Sequence, residues 1–90
     1  MTKAELVAEI AEKAGLSRPQ ARDALDAFVA TVTASLKAGR PIRLVGFGSF
    51  VPVRRAAGVA RNPKTGAKVD RAAATTARFR IGESLKNALN

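Results

Sequence analysis

The 90-residue chain contains no cysteine, histidine, tryptophan or tyrosine. Disulfides are thereby excluded, and the usual ligands of a transition metal are missing. A chain this short buries a smaller fraction of its surface than a larger one, and of the common remedies only oligomerisation remains. Catalysis without His or Cys would need a Lys, Ser or carboxylate constellation. The acids Glu5, Glu9, Glu12, Asp23 and Asp26 instead lie on helical stretches, where solvated surface pairing is their ordinary role. We therefore expect no enzyme, no cofactor and no metal. Long apolar runs are also lacking: no window approaches the roughly 18 uncharged apolar residues of a membrane span, and charges interrupt the opening MTKAELVAEI, which is thus no signal peptide. A soluble, intracellular protein is expected. With no Tyr or Trp, and with the four Phe in core patterning, there is no aromatic platform for splayed RNA bases.

Acids are scarce, seven against sixteen Lys and Arg, and the imbalance is local. Residues 37–80 hold eleven basic side chains and one acid, Asp70, whereas the rest of the chain is nearly neutral. Such a block calls for a polyanion. An anionic membrane would be met by an amphipathic helix with bulky apolar and basic faces. Here the cations lie on strands separated by Ala and Gly, so no membrane partner is expected.

Thr2-Lys3-Ala4-Glu5 and Ser17-Arg18-Pro19-Gln20 have the pattern of capping boxes and open two helices. The first follows Leu6, Val7, Ile10, Ala11 and Ala14 to Gly15, the second Ala21, Ala24, Leu25, Phe28, Val29, Val32 and Leu36 to Gly39. The pair has the outline of a helix-turn-helix, but the segment is nearly neutral and lacks base-reading side chains where a recognition helix would begin. Lys3 and Asp26 are expected to form a surface ion pair. After Pro41 the period becomes two, through Ile42, Leu44, Phe50, Val51 and Val53, with Gly46-Phe47-Gly48 as the turn between two strands. Residues 54–61 continue the second strand without core residues, Asn62-Pro63-Lys64-Thr65-Gly66 makes a turn, and residues 67–77 return. Residues 82–89 suit a short final helix.

The expected fold class is α+β: a helical N-terminal half, a small antiparallel β-sheet with an extended two-stranded β-ribbon arm, and a short C-terminal helix. Its single domain divides into a helical part (1–39), a small sheet (40–53 and 76–81), the arm (54–75) and the C-terminal helix (82–90). The apolar residues Phe28, Val32, Leu36, Leu44, Phe47, Phe50 and Phe79 exceed what one small chain can hide, so they are expected in the core or in the interface of a two-fold dimer. Along the arm and sheet, Arg54, Arg55, Arg61, Asn62, Lys64, Lys68, Arg71, Arg78 and Arg80 are candidates to bind duplex phosphates. Pro63 at the tip either shapes a turn or wedges between base pairs.

The motifs Gly46-Phe47-Gly48-Ser49-Phe50, Arg54-Arg55-Ala56-Ala57, Arg61-Asn62-Pro63-Lys64-Thr65-Gly66, Phe79-Arg80-Ile81-Gly82 and Leu85-Lys86, in this order and spacing, closely resemble the bacterial HU family of histone-like DNA-bending proteins. The resemblance runs end to end. It implies an intertwined dimer in the bacterial cytoplasm, on the nucleoid, whose two arms embrace DNA from the minor groove. By the same resemblance Pro63 intercalates, Arg55, Arg61 and Lys64 contact the groove or its phosphates, and Lys3, Arg80 and Lys86 hold the flanking backbone. Gly58 stands where the family often has arginine, Ala60 where it has glycine, and Glu83 where it usually has lysine, so weaker flanking contacts are expected. The expected partner is double-stranded DNA, favoured where bent, nicked or gapped, bound by a homodimer with little sequence preference. The alternatives are a heterodimer with a paralogue, a sequence-specific bender like integration host factor, and structured RNA.

Overall fold

The computed structural model describes residues 1–61 and 64–90, with side chains described except at 60, 61 and 69–71. Its elements in chain order are α1 (Lys3–Ala14), α2 (Arg18–Lys37), β1 (Ile42–Leu44), β2 (Gly48–Arg55), β3 (Gly58–Arg61), β4 (Lys68–Arg71), β5 (Ala74–Ile81) and α3 (Glu83–Leu89). The α+β composition matches expectation. Two compact units divide the chain, Met1–Ala34 and Ser35–Asn90.

In the first unit both helix starts are capped by side chains. The Glu5 amide donates to Thr2 Oγ1 at 3.2 Å, and Ser17 and Gln20 exchange a reciprocal pair, Ser17 N to Gln20 Oε1 at 3.0 Å and Gln20 N to Ser17 Oγ at 3.2 Å. These bonds satisfy amides that have no partner inside the helix. Between the helices Gly15 takes the left-handed conformation with φ 69°, and the Leu16 amide closes on the Ala11 carbonyl at 2.9 Å. A side chain at Gly15 would make this stop costly. Val7, Ala11 and Ala21 are buried, with Ile10 and Leu25 packed against them. Lys3 Nζ lies 2.8 Å from Asp26 Oδ1, as expected from the sequence, with both side chains more than half exposed.

The second unit is a three-stranded antiparallel sheet in the order β1-β2-β5, a two-stranded ladder β3-β4, and α3. β1 pairs only as far as Phe50, so beyond it β2 has an open edge, where a proline such as Pro52 is tolerated. Phe50 lies opposite Phe79 across β2 and β5, and their ring centroids are 5.1 Å apart; Phe47 meets the same Phe79 ring at 5.3 Å. The Gly82 amide donates to the Phe47 carbonyl at 2.8 Å and the Leu85 amide to the Gly46 carbonyl at 2.9 Å, which ties the start of α3 to the β1–β2 turn.

The expected core residues behave differently within one chain. None of Phe28, Val32, Leu36, Leu44, Phe47, Phe50 and Phe79 is buried, and Phe28, Phe47 and Phe79 are 41%, 46% and 43% exposed. Among the described residues the buried hydrophobic set is Val7, Ala11 and Ala21. A helical pair and a three-stranded sheet supply too little area to cover these rings. The arm also departs from the expected unbroken ribbon: strand structure lapses at 56–57 and 72–73, so β3 and β4 form a ladder of their own.

Gly48 is the tightest point of the sheet. A Cβ there would lie 2.4 Å from Phe79 Cζ and 2.5 Å from the Arg80 carbonyl oxygen. Gly48→Ala should therefore destabilise the protein by about 1–3 kcal/mol, the usual cost of overpacking. Thermal unfolding followed by circular dichroism should show a lower Tm for this variant.

Candidate nucleic-acid interface

Side chains alternate across a strand, and the register fixes which of them share a face. In the sheet, Ile42 pairs with Phe50 and Phe50 with Phe79; in the next row Arg43 pairs with Ser49 and Ser49 with Arg80. One face therefore carries Ile42, Leu44, Phe50, Pro52, Phe79 and Ile81, the other Arg43, Ser49, Val51, Val53, Arg55, Arg78 and Arg80. The first is apolar and the second cationic.

This alternation sorts the candidate arginines. Arg55, Arg78 and Arg80 share the cationic face and are all exposed. Arg54 is one residue out of phase; it pairs with Thr75 and lines a cleft with Lys37, Pro52 and Thr75. Arg43 joins the cationic face, where it lines a groove with Pro41, Ser49, Val51 and Arg80. Sequence reasoning missed Arg43 as a site residue, although its place between Ile42 and Leu44 in a period-two run is the signal that could have found it.

The arm continues this sheet in register. Counting on from Arg55 opposite Ala74, through Ala56 and Ala73 and then Ala57 and Ala72, leads to Gly58 opposite Arg71 with no residue left over. The ladder thus lapses at four alanines without a bulge. Further out, Arg61 pairs with Lys68, and the turn beyond carries exposed Lys64 and a Thr65 hydroxyl that accepts from the Ala67 amide at 3.3 Å. Lys64 and Lys68 are exposed near the tip. The side chains of Arg61 and Arg71, and Asn62 and Pro63 altogether, lie outside the described residues. Lys86 is exposed on α3, and Lys3 lies in the first unit, paired with Asp26. Glu83 opens α3 and is exposed, its charge suited to the positive end of that helix.

Chemically the face offers guanidinium and hydroxyl donors. Among the described residues no group of three His, Cys, Asp or Glu could hold a metal ion, and no helix is long and apolar enough to cross a membrane. Phosphodiesters are the complementary ligand.

Comparison with known proteins agrees. Residues 1–90 match the family described as "Bacterial DNA-binding protein". The chain belongs to that family. It is 63% identical over 89 residues to the DNA-binding protein HU of Caulobacter vibrioides, covering 99% of this chain and 97% of the relative, and 48% identical over 90 residues to the HU-beta protein of Escherichia coli, covering both in full. Among solved structures, an Anabaena HU–DNA cocrystal structure matches with a TM-score of 0.85 at 37% identity, covering 99% of this chain and 97% of that one. HU from Thermotoga maritima matches with a TM-score of 0.70 at 27% identity over the full length of both.

The face assignment separates neighbouring residues of this family member. With a linear duplex as probe, Arg55→Ala and Arg78→Ala should each lower the log-log salt slope of binding by about 0.9, the value of one phosphate contact. Arg54→Ala should leave the slope within error. Fluorescence anisotropy at several salt concentrations measures all three, and equal slopes for Arg54→Ala and Arg55→Ala would remove the face assignment.

Proposed function

We propose that this protein is a non-catalytic, nucleoid-associated architectural protein that binds duplex DNA in the minor groove with little sequence preference and bends it. The observation that carries the reading is the division of one sheet into a phenylalanine face and an arginine face. The cationic face, with Arg55, Arg78 and Arg80, receives the phosphate backbone, and the arm of residues 54–75 carries Arg61, Lys64, Lys68 and Arg71 into the groove. Pro63 wedges between base pairs, while Lys3 and Lys86 hold the flanking backbone. Arg54, out of phase with the others, makes no phosphate contact in this reading.

The apolar face implies a second copy. Phe28 in the helical part (1–39) and Phe47, Phe79 and Leu44 in the sheet saddle (40–53 and 76–81) are left exposed by one chain, and a homodimer that covers them also supplies a second arm. Two arms closing on bent DNA gain contacts that offset a bending cost of about 1–6 kcal/mol. A nick or gap removes part of that cost, so interrupted duplex is the preferred ligand. Structured RNA offers a backbone of the same charge without that gain and is the weaker partner.

Each part of this reading has its own outcome. Thermal unfolding over a hundredfold range of protein concentration should give a Tm that rises with concentration, as for any assembly that dissociates on unfolding; a constant Tm would contradict the dimer. In mobility-shift titrations a gapped duplex should bind on the order of tenfold more tightly than the intact one, and equal affinity would contradict bending as the basis of preference. Pro63→Ala should keep most of the affinity but lose ligase-mediated circularisation of short duplexes, and circularisation equal to that of the unaltered protein would end the wedge role.

A further inference from the structure

The arginine face holds a feature that the arm does not need. Arg43, Ser49 and Arg80 occupy a single row across β1, β2 and β5. Adjacent strands lie about 4.8 Å apart, so the two arginine positions stand roughly 10 Å apart with one short hydroxyl side chain between them. Both arginines are exposed and Ser49 is half-buried, so the row has raised cationic sides and a low polar centre. Pro41 and Val51 complete the groove. Among the described residues neither arginine is in an ion pair, and Arg78 adds a third cation two residues along β5 on the same face.

We propose that this row is a phosphate clamp, separate from the arm, in which Arg43 and Arg80 grip one phosphodiester of the duplex from opposite sides and the Ser49 hydroxyl donates to it from below. The clamp rests on the DNA-binding reading given above and extends it, assigning Arg43 and Ser49 a part in recognition. Three guanidinium groups gathered on one face without a carboxylate among them repel one another, and a bound anion relieves that repulsion. A planar guanidinium presents paired donors that match phosphate oxygens, which an ammonium group does not. The small residue at 49 keeps the centre open; a large side chain there would fill the groove. Because β1, β2 and β5 belong to the sheet itself, the clamp anchors the duplex at the body, and the arm is left to deform it.

A double-mutant cycle tests the idea directly. Affinity and salt slope for an intact duplex are measured for the unaltered protein, Arg43→Gln, Arg80→Gln and the double variant, with Tm checked for each. Arg43→Gln should bind several-fold more weakly while its slope changes little, because Arg80 still neutralises the shared phosphate; Arg43→Lys should recover only part of the affinity, and the slope should fall by about 0.9 in the double variant. Two arginines on the same phosphate are coupled, so the double variant should lose less than the product of the two single losses. Multiplicative losses would place the arginines on different phosphates and overturn the clamp. An Arg43→Gln variant equal to the unaltered protein in affinity would overturn it as well, while leaving the arm-based reading intact. If the unaltered protein itself fails to bind duplex, the broader reading falls first.

Discussion

The pairing of β2 with β5 is the constraint on which the rest of the structure depends. A single register places Phe50 against Phe79 and, one residue away, Ser49 against Arg80. Since side chains alternate, a slip of one residue would turn the arginines inward and the phenylalanines toward the ligand. The register is held by the packing of the Phe47, Phe50 and Phe79 rings and by Gly48, which leaves no room for a side chain between Phe79 and the Arg80 carbonyl. The same register runs on into the arm, so sheet and arm share one alignment even where four alanines interrupt the ladder.

The apolar face and the cationic face answer two needs with one sheet. One chain buries Val7, Ala11 and Ala21 but leaves the aromatic cluster accessible, and large exposed apolar surface marks an interaction site. In the proposed dimer a second copy covers the apolar face and, by symmetry, brings a second set of arginines. Stability and ligand geometry then come from the same contact: the interaction that completes the core also sets how far apart the two arms stand. Electrostatics alone would give binding without shape. The paired arms are what allow the charge to be used for bending.

Much of this was legible in the sequence because the relevant residues act locally. Thr2, Ser17 and Gln20 announce helix starts through bonds three residues long, and Gly15 ends a helix through its own backbone freedom. The alternation from Ile42 to Val53 exposes the strands, and the motif of Arg61 through Gly66 brings the family to view. What was not legible depends on partners distant in the chain. The alternation of Ile42, Arg43 and Leu44 sets Arg43 on the face opposite the apolar one, but its neighbours there, Ser49 and Arg80, are given only by the pairing of β1 with β2 and of β2 with β5. Likewise Arg54 and Arg55 are neighbours of identical chemistry, separated only by the face to which the register assigns them. Alanines at 56, 57, 72 and 73 pack weakly in either state, so the lapse in the ribbon left no trace in a periodicity argument. The exposure of Phe28, Phe47 and Phe79 follows from the total area available in one chain, a quantity that no local pattern records.

The central claim is that one face of the sheet meets the duplex and the other does not. Chemical modification of arginines by phenylglyoxal, read residue by residue by mass spectrometry with and without a saturating gapped duplex, tests it in a single experiment on the unaltered protein. The account predicts that duplex protects Arg43, Arg55, Arg78 and Arg80 while the reactivity of Arg54 changes little. Protection of Arg54 to the same extent as Arg55, or no protection of Arg78 and Arg80, would contradict it.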